Sequence, residues 1–137
     1  MKITIGIDSG TETGFAVWDS EEKCLIQVNT MKIHQAMQKV LQYYLLYPGN
    51  VRVRVEDARK RKWFGNSGRE QLQGAGSIKR DAVIWEDFLT DHGIPFEMVA
   101  PKNNKTKMTA EYFRRVTGWK LRTNEHARDA AMLCYGM

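Results

Sequence analysis

Two short apolar runs in this chain each end in an acid, and that pattern constrains the fold more than any other feature. The first is Ile3-Thr4-Ile5-Gly6-Ile7-Asp8 and the second is Val51-Arg52-Val53-Arg54-Val55-Glu56. Apolar residues at every second position mark β-strands. An acid at the tip of such a strand is costly to desolvate unless something positive shares its surroundings. In each run the acid falls on the face opposite the aliphatic residues, so in matched register both carboxylates point the same way. A third acid, Asp129, lies near the C-terminus in His126-Ala127-Arg128-Asp129-Ala130. Its spacing from His126 puts the two on one face of a helix. Two strand tips and a helix carrying a His and an Asp can assemble a divalent-metal site.

The remaining periodicities supply a frame. Ser9 to Gly14 reads as a turn, and Phe15-Ala16-Val17-Trp18 begins the return strand of a hairpin. Asp19-Ser20-Glu21-Glu22 turns again into a third strand, Cys24 to Thr30. Then the period changes, with Ile33, Met37, Val40, Leu41, Tyr44 and Leu45 on one helix face, closed by Pro48-Gly49. The strand Val51 to Glu56 follows that helix and so runs parallel to the first. Residues 57–75 are basic, polar and Gly-containing, and read as a long loop. Ile78, Ala82, Trp85 and Leu89 mark a second helix ending at His92-Gly93, and Pro95 to Val99 a fifth strand. Met108, Tyr112, Phe113 and Val116 suggest another helix, and Asn124 is placed to cap a last one over 125–135.

Three strands, helix, strand, helix, strand and then helices is an α/β order. It implies a mixed five-stranded sheet, with an antiparallel hairpin edge, a parallel remainder and helices on both faces. This is the ribonuclease H-like arrangement, expected here as a single domain over 1–137. Its first and fourth strands are neighbours, so Asp8 and Glu56 are expected to meet.

Composition narrows the partners. A chain of 137 residues with 42% hydrophobic and 27% charged residues can bury a substantial core without disulfides. No apolar stretch approaches a membrane span, and Met1-Lys2-Ile3-Thr4-Ile5 runs straight into a strand, so no leader peptide is expected. Cys24 and Cys134 fall in no metal-ligand spacing and read as small buried hydrophobes of a reducing compartment. The net charge is +5 and unevenly spread. Arg59-Lys60-Arg61-Lys62 is an unbroken basic run, followed at once by Trp63-Phe64, and positive charge gathers again at Lys102, Lys105, Lys107 and Arg114-Arg115. Clustered cations reward a phosphate backbone and exposed aromatics stack on bases, so nucleic acid is the expected partner. Chain connectivity holds the basic run close to Glu56.

Taken in order, Gly6-Ile7-Asp8-Ser9-Gly10 with Gly14, Val55-Glu56, Gly74-Ala75-Gly76 opening a helix, and His126-Ala127-Arg128-Asp129-Ala130-Ala131 resemble the RuvC-type Holliday-junction resolvases, in the compact form found in bacteriophages and their hosts. The resemblance spans nearly the whole chain. It implies a homodimeric, Mg²⁺-dependent crossover junction endodeoxyribonuclease that nicks two strands of a four-way DNA junction. Its setting would be DNA recombination and repair in the cytoplasm of a bacterial cell or phage-infected host. Carried over by position, Asp8, Glu56 and Asp129 match the family's catalytic, metal-holding acids. His126 falls where many members have a fourth acid and some have His. Imidazole is softer than carboxylate and suits Mn²⁺ better than Mg²⁺, so the resemblance leaves the ion open. Two ions held by shared carboxylates can activate a water and stabilise a departing 3′ oxygen. Lys105 resembles the basic residue that the family places near the scissile phosphate, with Lys102 and Lys107 equally available. Related resolvases carry a junction-wedging aromatic in the loop after the fourth strand; here Arg59 holds the early position, and Trp63 and Phe64 come later. Gly74-Ala75-Gly76 ahead of a helix either lets a phosphate approach backbone amides or serves close packing.

Three other readings share parts of the pattern. Asp8-Ser9-Gly10-Thr11-Glu12-Thr13-Gly14 also looks like the first phosphate motif of actin-like ATPases and sugar kinases, which need two such domains where this chain supplies one. A catalytically silent nucleic-acid-binding module, with His126 breaking the metal site, is the second. A ribonuclease H-like nuclease acting on RNA–DNA hybrids, with the same chemistry on another substrate, is the third.

Overall fold

A computed structural model describes the backbone of residues 1–60, 69–104 and 107–137, and all their side chains except those of 69–75, 78 and 102. The strands are β1 (Ile3–Asp8), β2 (Thr13–Asp19), β3 (Cys24–Met31), β4 (Val51–Glu56) and β5 (Phe96–Val99). The helices are α1 (Ile33–Leu46), α2 (Arg69–Asp91), α3 (Ala110–Thr117) and α4 (Glu125–Cys134). Short 3₁₀ turns occupy Ala58–Lys60 and Pro101–Asn103. The expected order of elements is the observed one.

All five strands form one sheet in the order β3-β2-β1-β4-β5. The pairs β1–β2 and β2–β3 are antiparallel, whereas β1–β4 and β4–β5 are parallel. The α/β reading with a mixed sheet and helices on both faces therefore holds. The ladder between β1 and β4 runs from Ile3 beside Val51 to Ile7 beside Val55, so Asp8 and Glu56 are the next residues on their strands. Alternation then decides which face each residue serves. Ile3, Ile5, Ile7, Val51, Val53 and Val55 pack with Ala36 and Val40 of α1 and with Trp85 and Leu89 of α2. Leu89 and Val40 are wholly buried, and burial of such a side chain stabilises by about 1.5–3 kcal/mol. On the other face Ala16, Trp18 and Val28 meet Phe113 of α3 and the Ala127, Ala130, Ala131 and Cys134 face of α4.

Two glycines let α4 lie unusually close to that face. A Cβ at Gly6 would fall on the carbonyl oxygen of Ala130, and one at Gly14 on the carbonyl oxygen of His126. Arg54, on the same face of β4, reaches the end of α4 and donates to the Leu133 carbonyl at 3.0 Å. No helix among the described residues is long and apolar enough to cross a membrane.

Four local expectations are corrected. Residues 69–75 are helical, so α2 begins inside the segment read as loop. Gly74-Ala75-Gly76 consequently lies within α2, where amides belong to the helical ladder, and does not offer a helix N-terminus to a phosphate. Gly14 is a strand residue beside Asp8, not part of the turn. Cys134 is buried as expected, but Cys24 is exposed at the start of edge strand β3.

The close approach yields a paired test. Gly14→Ala is expected to destabilise by about 1–3 kcal/mol, because its methyl must displace backbone. Gly76→Ala, whose Cβ meets nothing within 4 Å among the described residues in mid-helix, is expected to stabilise by about 0.5–1 kcal/mol. Thermal denaturation of both variants decides, and equal Tm shifts would remove the special role of Gly14.

Candidate active site

The acid at the tip of β1 is drawn into contact by the start of α4. Asn124 caps that helix, its side chain accepting the Ala127 amide at 2.9 Å, and donates to Thr30 Oγ1 of β3 at 3.2 Å. The first turn of α4 is thereby pinned to the sheet, and His126 Nδ1 lies 3.1 Å from Asp8 Oδ2. One turn on, Asp129 is buried and accepts the Lys107 amide at 3.0 Å. Lys107 takes a left-handed backbone, φ 61°, to make that bond. Glu56, also buried, closes the group from β4. Asn104 joins it to the helix, Nδ2 donating to Glu56 Oε2 at 3.4 Å and to the Asp129 carbonyl at 3.1 Å. The group stands at the carboxyl end of the parallel strands, where open α/β sheets place ligands.

The electrostatics are those of acids crowded beyond their local compensation. Asp8 is pushed up to about 7, first by burial and then by the Glu56 charge, with Asp129 adding to the rise and His126 opposing it. Asp129 is raised too, chiefly by burial, against the Lys107 amide that favours its ionised form. As the side chains stand, no three His, Cys, Asp or Glu among the described residues form a ready-made metal cage. The donors are instead held by protein partners. Their chemistry, hard carboxylate oxygens carrying excess negative charge plus one imidazole, still suits a divalent cation.

Around this group lies a part of the site that periodicity does not disclose. Asp57, next to Glu56, is 1% exposed. Arg59 binds it through Nε at 2.8 Å and Nη2 at 2.9 Å, and reaches Glu86 of α2 at 3.1 Å. Burial alone would raise the Asp57 carboxyl, but the Arg59 hydrogen bonds outweigh it and hold the group below its usual value. Arg59 therefore clamps the segment after β4 to α2, its guanidinium facing two carboxylates. Lys60 donates to the Met98 carbonyl at 2.7 Å. Arg61, Lys62, Trp63, Phe64 and Lys105 lie outside the described residues, as does the side chain of Lys102. A further basic surface stands between α3 and the segment leading into α4, where Arg114, Lys120 and Arg122 line one concavity with Phe113 and Trp119. Neither Asn104 nor Asp57 carried a sequence signal, each being one polar residue among several in a polar stretch.

The Asp8 environment makes a pH prediction. Its folded value, about 7, exceeds the unfolded 3.8, so the folded state holds the proton more tightly. That contribution is complete below the unfolded value and is lost as pH rises toward 7. Asp129 shifts in the same direction; Asp57 shifts oppositely and matters only in more acid solution. Metal-free protein is expected to lose on the order of 2 kcal/mol of stability between about pH 5 and pH 8. Asp8→Asn should lose much less and melt several degrees higher than wild type at the upper pH. Melting curves in chelator across that range check it, and equal pH sensitivity of the two proteins would contradict it.

No protein-family model matches the chain, and no curated protein does. Among solved structures it is similar to Thermus thermophilus RuvC in complex with a Holliday junction substrate, with a TM-score of 0.60 and 17% sequence identity over 98% of this chain and 90% of that one. The five-stranded mixed sheet, its helices and their order are shared along nearly the full length, and the chain has the RuvC-like, ribonuclease H-like fold.

Proposed function

We propose that this chain is a divalent-metal-dependent endonuclease that nicks four-way DNA junctions, acting as a homodimer with one nuclease domain over 1–137 in each subunit. Its setting would be the cytoplasm of a bacterial cell or phage-infected host. The observation that carries the reading is the convergence of Asp8, Glu56, Asp129 and His126 on one end of the sheet, with Asp8 pushed up to about 7 by burial and its acidic neighbours. A site that crowds carboxylates at such a cost is matched to a cation. These four residues would hold Mg²⁺ or Mn²⁺, which when bound supplies water activation and charge stabilisation at a phosphodiester.

The chain's own groups account for the remainder. Asp8 and Glu56 stand on rigid parallel strands, so their carboxylates are positioned before substrate arrives. His126 is 58% exposed while touching Asp8, and is thus open to both the cation and the solvent side where DNA would lie. Arg114, Lys120 and Arg122, with the basic residues 60–62, 102, 105 and 107, would neutralise the phosphates of the arms. Trp63 and Phe64 would offer aromatic contact to an opened base step. The lack of a ready-made cage among the described residues favours the silent DNA-binding module as the competing reading, and the same assay separates the two.

That assay is nicking of a synthetic four-way junction, beside a duplex and an RNA–DNA hybrid, over titrations of Mg²⁺ and Mn²⁺. Wild type is expected to nick the junction and Asp8→Asn to bind it with cleavage abolished, since the cations that hold phosphate survive the substitution. His126→Ala should impair cleavage with both ions, and His126→Asp should shift preference toward Mg²⁺. Normal nicking by Asp8→Asn would sink the assignment, and junction binding without cleavage by any ion would establish the silent module.

The basic surface has its own readout. Replacing Arg114, Lys120 and Arg122 with Ala should flatten the log–log salt dependence of junction binding by about 0.9 for every phosphate that these cations neutralise. An unchanged slope in fluorescence anisotropy would mean that this face is merely solvated.

A further inference from the structure

One side chain at the site is bonded in a way that its own stability does not explain. Asn104 follows the Pro101–Asn103 turn, and its Nδ2 spans two elements, meeting Glu56 Oε2 of β4 at 3.4 Å and the Asp129 carbonyl of α4 at 3.1 Å. A primary amide nitrogen has two hydrogens, so both donors are directed into the acid cluster. The reverse orientation would set the amide oxygen against two acceptors, which fixes the assignment chemically. Meanwhile Asn104 Oδ1 is buried and has no hydrogen-bond partner among the described residues. Buried polar atoms are nearly always paired, and an orphan calls for a ligand or an ordered water. A neutral amide oxygen is a hard donor of the kind that Asn and backbone carbonyls give to Mg²⁺, Mn²⁺ and Ca²⁺.

We propose that Asn104 is a positioning residue of the acid cluster, holding the Glu56 carboxylate against α4 and presenting its unpaired oxygen toward a divalent cation or that cation's water. The inference rests on the metal-dependent reading above and adds a residue to it. Outer partners of this kind fix the orientation of carboxylates that hold a cation, and their removal typically weakens cation affinity 10–100-fold. A role confined to anchoring the Pro101–Asn103 turn to the sheet and α4 would instead lower the melting temperature and leave the cation affinity of the folded protein alone.

Calorimetric titration with Mn²⁺, without DNA, on wild type and Asn104→Ala separates these outcomes. The Ala variant is expected to bind Mn²⁺ at least about tenfold more weakly. Its metal-free binding to a four-way junction should be unchanged, and its cleavage should recover as Mn²⁺ is raised. Asn104→Ser, which keeps a shorter donor and acceptor, should fall between the two and covers the case in which the Ala variant does not fold. Wild-type Mn²⁺ affinity in both variants, or a cleavage defect that no concentration of Mn²⁺ restores, overturns the role of Asn104 alone. A wild-type protein that binds no Mn²⁺ overturns the metal-dependent reading, and this inference with it.

Discussion

The geometry of the acid cluster depends on how near α4 can come to the β1–β2 hairpin. That distance is set by two missing methyl groups, at Gly6 under the Ala130 carbonyl and at Gly14 under the His126 carbonyl. Any side chain there would lift the helix, and because core packing is dense the displacement would be transmitted and not absorbed. With the helix seated, Asn124 fastens its first turn to Thr30 and His126 reaches Asp8. The glycines, the cap and the imidazole contact therefore act together: the first two place the backbone that makes the third possible. Helix α4 is small enough on this face, with Ala127, Ala130 and Ala131 all buried, to use the space that the glycines open.

What this packing assembles is electrostatically costly. Three acids share one end of the sheet, and Asp8 is raised to about 7, by burial before any neighbour acts on it. The surrounding donors offset only part of that cost: the Lys107 amide bonds Asp129, the Asn104 amide bonds Glu56, and His126 faces Asp8. Functional sites are where such unfavourable arrangements persist, held by a scaffold whose stability comes from elsewhere. Here that stability resides in the Ile and Val ladder of β1 and β4 against Trp85 and Leu89, on the face away from the acids. Division of labour between the two faces is the physical logic of the fold.

The same division runs through the charged residues that follow Glu56. Arg59 pairs with buried Asp57 and with the partly exposed Glu86, so the first residues after β4 are fixed to α2. A charged residue a few positions from a catalytic-type acid can thus be structural, and its role is set by which partner the fold places opposite it. Arg59 and Arg114 look alike in composition. One has two carboxylates facing it, while the other lines a concavity shared with Lys120 and Arg122.

The strand and helix order was legible in the sequence from local periodicity, and parity along each strand set Asp8 and Glu56 opposite their aliphatic neighbours. That β1 and β4 lie side by side, so that the two acids meet, was implied by the ribonuclease H-like arrangement and not by spacing. The cap at Asn124 and the shared face of His126 and Asp129 were legible from the sequence, since both depend on spacings within a single helix. Gly74-Ala75-Gly76 lies inside α2, because a glycine within a helix lowers its stability without ending it. Other features depended on partners far away in the chain. Arg59 was drawn inward by Glu86, and Asn104 became part of the acid cluster by bridging β4 and α4, neither of which it adjoins in sequence. Periodicity records which face a residue shows to its own element. Which atoms then stand opposite it is decided only when the sheet and helices close on one another, and it is at that step that the separate acids of this chain become one site.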